Sequence, residues 1–148
     1  MDITWERYQS MVEEMDGRIR SVLRSGPISL VGIPRGGLVV ALHLTYLDSR
    51  YEVLNPDMPS GAREGSIVIV DDVLETGGTR EKWNQIVSGC FSPTAVLFAV
   101  LVDKAAYYRI PPADIGILKM DRKEWVVFPY ERRGSVKEVE SMKTRGYE

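Results

Sequence analysis

An unbroken apolar run, Ile67-Val68-Ile69-Val70, passes directly into Asp71-Asp72-Val73-Leu74-Glu75 and then into Thr76-Gly77-Gly78-Thr79. Ser66 to Val70 is the most strand-like stretch of the chain, and its continuous hydrophobicity predicts a strand buried on both faces. It delivers two adjacent carboxylates to its C-terminal end. The glycines then let the backbone turn tightly, and Arg80 to Ser88 is predicted helical, with Thr79 or Gly78 near its N-cap. Such a segment commits the chain to a strand, turn and helix whose chemistry lies at the carboxyl end of the strand.

Successive backbone N–H groups in a turn of this kind form a nest, and the helix N-terminus adds about half a positive charge, so a phosphate is favoured there. The hydroxyls of Thr76 and Thr79 add donors. Neither standard nucleotide fingerprint fits: Gly77-Gly78 is followed by Thr79-Arg80 where a P-loop needs lysine, and no G-x-G-x-x-G occurs. A phosphate cup with paired carboxylates just upstream points to a phosphorylated sugar, its phosphate in the turn and its hydroxyls accepted by Asp71 and Asp72. A Gly-Gly turn alone would be an ordinary connection; paired acids, double glycine and flanking threonines together are not.

Composition narrows the chemistry further. The 148 residues, 44% hydrophobic and 27% charged, fit one folded domain. A single cysteine, Cys90, and a single histidine, His43, exclude an intrachain disulfide, a His-based metal cluster and any Ser-His-Asp site not built on His43. With 19 basic against 21 acidic side chains the net charge is −2, which lacks the basic field of a general nucleic-acid binder. No apolar run approaches the ~20 residues that span a bilayer, and Met1-Asp2 does not open a secretory signal, so a cytoplasmic location is the default expectation.

Trp5, Tyr8, Val12, Met15, Ile19 and Val22 recur at spacings of three and four, predicting an amphipathic helix from Thr4 to Arg24 whose stripe packs on the core. Gly26-Pro27 breaks it, and Ile28 to Ile33 reads as a short buried strand. Pro34-Arg35-Gly36-Gly37 is a turn in which two glycines permit close backbone approach to an anion and Arg35 supplies a permanent charge. A helix from Leu38 to Leu47 and a brief strand from Tyr51 to Leu54 follow, then a proline- and glycine-rich loop over 55–65. Ala95 to Val102 and Ile115 to Met120 are the fourth and fifth strands, with no full helix between them. The alternation predicts an α/β fold, a mostly parallel sheet flanked by helices, whose ligands bind beyond the carboxyl ends where the two Gly-rich turns fall. Trp125 to Tyr130, aromatic and interrupted by Pro129, reads as a small flap. In the charged tail a capping box at Ser135-Val136-Lys137-Glu138, with Val136, Val139 and Met142 on one face, predicts a short terminal helix.

At Ile67 to Thr79 the chain resembles the type I phosphoribosyltransferases. Their signature for 5-phosphoribosyl-1-pyrophosphate (PRPP) is four apolar residues, two acids, two variable positions and a residue before Thr-Gly-Gly-Thr, and the match covers all of it. The resemblance implies a single domain over 1–148, with a core about 1–104, a base-binding hood about 105–131 and a tail about 132–148. It also implies that Glu75, Thr76, Gly77, Gly78 and Thr79 hold the 5-phosphate. Asp71 and Asp72 would accept the ribose hydroxyls, answer the positive charge that develops there and serve Mg²⁺ mostly through substrate and water. Arg35, Gly36 and Gly37 would bind pyrophosphate, with a cis peptide at Pro34–Arg35.

The C-terminal third is most similar to the 6-oxopurine enzymes, xanthine-guanine phosphoribosyltransferase in particular. Lys104 matches the lysine that donates to the purine 6-oxygen, Trp125 the aromatic that stacks on the base, and Val126 the backbone beside the 2-substituent. Glu75 stands where these enzymes usually place an aspartate that exchanges a proton or hydrogen bond with purine N7, the same chemistry on a longer stem. The implied reaction joins PRPP to guanine, xanthine or hypoxanthine, giving a nucleoside monophosphate and pyrophosphate. The alternative is a PRPP- or nucleotide-binding regulatory protein of the same fold, motivated by the short 55–65 connection where the family carries a long loop that closes over PRPP. The family is commonly dimeric or tetrameric, so the expected partners are small-molecule substrates and further copies of the chain, with no nucleic acid and no membrane.

Overall fold

The computed structural model describes residues 1–54, 65–91 and 93–131. The tail with its Ser135 to Glu138 capping box, and the 55–65 connection apart from Gly65, lie outside the described residues. The chain divides into two compact units, Gln9–Lys123 and a smaller one that joins Met1–Tyr8 to the chain from Glu124.

In chain order the elements are α1 (Trp5–Val22), β1 (Ile28–Gly32), α2 (Gly36–Thr45), β2 (Tyr51–Val53), β3 (Ser66–Leu74), α3 (Gly78–Cys90), β4 (Ala95–Asp103), the single turn α4 (Ala105–Tyr108) and β5 (Ile115–Lys119). The strands form one sheet in the order β2-β1-β3-β4-β5, and every pairing is parallel. The chain leaves β1 outward to β2, returns to pair β3 on the other side of β1, and continues outward to β4 and β5. The direction of winding therefore reverses between β1 and β3, which opens a crevice at their carboxyl ends.

Burial on both faces explains the unbroken apolar strands. Val31, Ile33, Ile67, Ile69, Phe98 and Val100 pack with Val87 and Phe91 at the end of α3, while Gly37, Val40, Ala41 and Leu44 are the buried residues of the nearly uncharged α2. On α1 the middle of the expected stripe, Tyr8, Val12, Met15 and Ile19, is buried, but its ends are not: Trp5 and Val22 are each 57% exposed. Met11, one turn before Met15 and absent from the three-and-four spacing, is buried in their stead.

Among the boundaries that differ from the sequence expectation, three bear on the site. β3 continues past Val70 to Leu74 because β4 pairs with it as far as Leu74 opposite Asp103, so Asp71 and Asp72 lie within a strand rather than after one. The helix following β1 begins at Gly36 rather than Leu38. The N-cap of α3 is Gly77, not Thr79 or Gly78; its φ of 82° is left-handed, the conformation that lets the chain swing from strand into helix at that point.

The smaller unit is organised by an isolated parallel bridge between Asp2 and Val127. Val127 N–H donates to the Met1 carbonyl and Ile3 N–H to the Val127 carbonyl, both at 2.9 Å. Tyr130 stacks on Phe128 at 5.4 Å and meets Tyr8 edge-on at 5.5 Å, and Pro129–Glu131 form one 3-10 turn.

Candidate active site

The two Gly-rich turns leave adjacent strands on either side of the crevice. Beyond β1 the Pro34–Arg35 peptide is cis, and Arg35, exposed, is the N-cap residue of α2. The turn lies tightly against β3. Ile33 N–H donates to the Val70 carbonyl at 2.9 Å; a Cβ on Gly36 would fall on the Asp72 carboxylate, and one on Gly37 on the Val70 carbonyl. Only glycine at both positions lets the two strand ends come so close, and the approach brings the guanidinium-bearing turn alongside the paired acids.

Within β3 the acids sit at a gap in the ladder to β4. Pairing with β4 runs unbroken from Ser66 opposite Ala95 to Asp71 opposite Val100 and resumes at Val73 opposite Val102. The β4–β5 ladder likewise passes from Val100 opposite Gly116 to Val102 opposite Leu118. Asp72 N–H donates to Asp71 Oδ1 at 2.8 Å and Val73 N–H to Asp72 Oδ1 at 2.9 Å, so carboxylates take up backbone donors at the interruption. Leu74, the last residue of the strand, belongs to the same apolar cluster as Ile67 and Ile69. Burial, and next the neighbouring Asp72 carboxylate, push the Asp71 carboxyl well above the ordinary range.

At the carboxyl ends of β3 and β4, Lys104 Nζ donates to Glu75 Oε1 at 2.9 Å. The ladder between the strands extends one step to place them there, since Lys104 N–H donates to the Leu74 carbonyl at 3.0 Å. Lys104 is only 2% exposed, so a buried ammonium is matched to a half-buried carboxylate. The pair joins a base-side residue expected from the sequence to the expected proton-exchanging acid.

Gly77 lies in the second Gly-rich turn, and Thr76, Gly78 and Thr79 are exposed around it. Ile110 Cδ1 would lie 3.2 Å from a Cβ at Gly77. Arg80, in the first turn of α3, donates from Nη1 to the Pro112 carbonyl at 2.7 Å and lies over the Phe98 ring. Arg80 thus ties the 76–79 turn to the 105–114 segment, a role the sequence does not announce because the partner is a backbone oxygen 32 residues away. Trp125, half-buried, and Val126, buried, belong to the smaller unit.

Among the described residues no three of His, Cys, Asp and Glu converge as a metal-ligating group. Asp71 and Asp72 offer hard oxygen donors without a cage, a set that suits Mg²⁺ held by one or two carboxylates together with substrate phosphates and water.

No protein-family model matches the chain, and no curated protein matches its sequence. Solved structures do. A purine phosphoribosyltransferase from Pyrococcus horikoshii superposes with a TM-score of 0.74 at 21% identity, covering 92% of this chain and 96% of that one. A xanthine-guanine-hypoxanthine phosphoribosyltransferase from Helicobacter pylori gives 0.70 at 18% identity over 97% and 96%. A hypothetical protein from Neisseria gonorrhoeae with bound ppGpp gives 0.68 at 17% identity over 99% and 97%. With its five parallel strands in the order β2-β1-β3-β4-β5 and its two glycine turns at the crevice, the chain has the type I phosphoribosyltransferase fold.

Proposed function

We propose that this chain transfers the 5-phosphoribosyl group of PRPP to a 6-oxopurine, guanine, xanthine or hypoxanthine, releasing pyrophosphate. The observation that carries the reading is the Glu75–Lys104 pair at the ends of adjacent strands, with Glu75 three residues past Asp72 and beside the phosphate turn. A base with a 6-oxygen and an N7 proton offers an acceptor to Lys104 and a donor to Glu75, so it can take up both partners without stranding either charge. Residues 75–79 cup the 5-phosphate, Asp71 and Asp72 accept the ribose hydroxyls and stabilise the positive charge developing on the sugar, and Arg35 to Gly37 receive the leaving pyrophosphate. Mg²⁺, held by Asp71 and Asp72 largely through substrate and water, would neutralise pyrophosphate charge. The family resemblance assigns base stacking to Trp125 and the contact with the 2-substituent to the Val126 backbone. The active species is a homo-oligomer, a dimer or tetramer in solution.

The test is pyrophosphate release from PRPP and Mg²⁺ across a purine panel. The wild type is expected to turn over 6-oxopurines in preference to adenine, and Asp71→Asn to lose about 100-fold or more of that rate. No release with any purine, with Asp71→Asn indistinguishable from wild type, defeats the enzymatic reading. A second reading is favoured by the Neisseria gonorrhoeae protein with bound ppGpp: a nucleotide-binding regulatory protein of the same fold. Tight calorimetric binding of a guanine nucleotide with negligible turnover would select it.

A further inference from the structure

Asp103, the last residue of β4, is 3% exposed and plays no part in the reaction as proposed. A buried carboxylate is destabilising unless its oxygens are satisfied, and here both are satisfied by backbone: Oδ1 accepts from Ala105 N–H at 2.9 Å and Oδ2 from Ala113 N–H at 3.1 Å. The two donors flank the turn that carries α4. On β5, Gly116 makes the room, since a Cβ there would stand 2.8 Å from Asp103 Cβ and 2.9 Å from Oδ2. The Asp103 main chain is pinned as well, its carbonyl accepting from Met120 N–H at 2.9 Å. Lys104 comes next in the chain, held on its other side by the Leu74 carbonyl.

We propose that Asp103 is a positioning residue for Lys104: by bridging both ends of the 105–113 turn, its carboxylate fixes the backbone from which the Lys104 ammonium meets the base. The assignment rests on the function proposed above. A hydrophobic residue of similar size would fill the same space but could not close the turn, and any side chain on residue 116 would displace the carboxylate.

The test compares calorimetric affinities for GMP and for PRPP, each with Mg²⁺, in wild type, Asp103→Ala, Asp103→Asn and Gly116→Ala, with thermal melts confirming that each variant is folded. PRPP carries no base. Asp103→Ala and Gly116→Ala are expected to weaken GMP about 10- to 100-fold while PRPP stays within about twofold, because a misplaced lysine is felt only by the base. Asp103→Asn keeps one acceptor and falls between, and it carries the comparison if Asp103→Ala does not fold. Unchanged GMP affinity, or parallel weakening of both ligands, overturns the assignment and leaves the proposed function standing. A wild type that binds neither ligand overturns both.

Discussion

A carboxyl group buried beside a second carboxylate is most stable protonated, and Asp71 is in that position. Its folded-state pKa lies above the unfolded value of about 3.9, so its contribution to stability is complete below that pH and is lost as pH rises through the folded pKa. Asp71→Asn keeps a carbonyl oxygen to accept the Asp72 N–H and removes the charge. Urea melts are therefore expected to give the variant a higher midpoint than wild type at pH 7 and a shrinking advantage as pH falls toward 4; a lower midpoint at pH 7 would contradict this. The variant is expected to gain stability where the proposed reaction would lose rate. The paired acids were legible in the sequence as a motif at the end of an apolar run; the gap in the ladder at Asp72 was not, because it shows only in the pairing with β4.

At the scale of elements, the ends of β3 and β4 are coupled through Glu75 and Lys104, and the coupling is unequal. The lysine side chain is 3% exposed and the glutamate 20%, so removing Glu75 leaves an unpaired ammonium in the interior, while removing Lys104 leaves a carboxylate that water can reach. Glu75→Gln is expected to lower stability by about 3 kcal/mol and Lys104→Met by distinctly less, with the double variant milder than Glu75→Gln alone. Denaturant midpoints of the three proteins check the order. The positions of both residues followed from the motif and the strand ends. Their meeting followed from parallel register, which the sequence does not specify when the partner strand is separated by a helix. Two strand limits missed for the same reason: β3 and β4 both run on until their pairing ends, beyond where hydrophobicity stops.

For the whole molecule, α1 is fastened to the sheet edge by a buried polar cluster that no periodicity reveals. Tyr51 OH donates to Asp16 Oδ1 at 2.7 Å, and Arg20 reaches both Asp16 oxygens at 2.9 and 2.8 Å. Burial alone would raise the Asp16 pKa, but the hydrogen bonds from Arg20 and Tyr51 outweigh it and hold the carboxyl below its ordinary value. Its contribution is thus present above about pH 3.9 and lost as pH falls. Tyr51→Phe is expected to lower stability by about 1 to 2 kcal/mol at pH 7 and to make acid unfolding begin with a smaller deficit relative to wild type, both read from denaturant melts across pH. Tyr51 was legible as a strand residue and Asp16 only as the polar neighbour of a stripe. The pairing spans 35 residues, a distance over which side-chain chemistry leaves no pattern.

The central place of β3 also bears on how the chain folds. β1 and β4 both take their register from it, so neither the β1–β2 pair nor the β4–β5 pair can join the other until β3 has inserted between them. Long-range parallel pairing of this kind closes large loops before it is rewarded, and makes such an insertion the slow, committing step. During synthesis β3 emerges before β4 and β5, so there the sheet grows by adding β3 to the β1–β2 pair and the last two strands onto β3. Because the paired acids and the turn against Gly36 and Gly37 sit on that same strand, the step that completes the sheet also assembles the pocket, and a folding intermediate lacking β3 would have no partial site to bind a ligand.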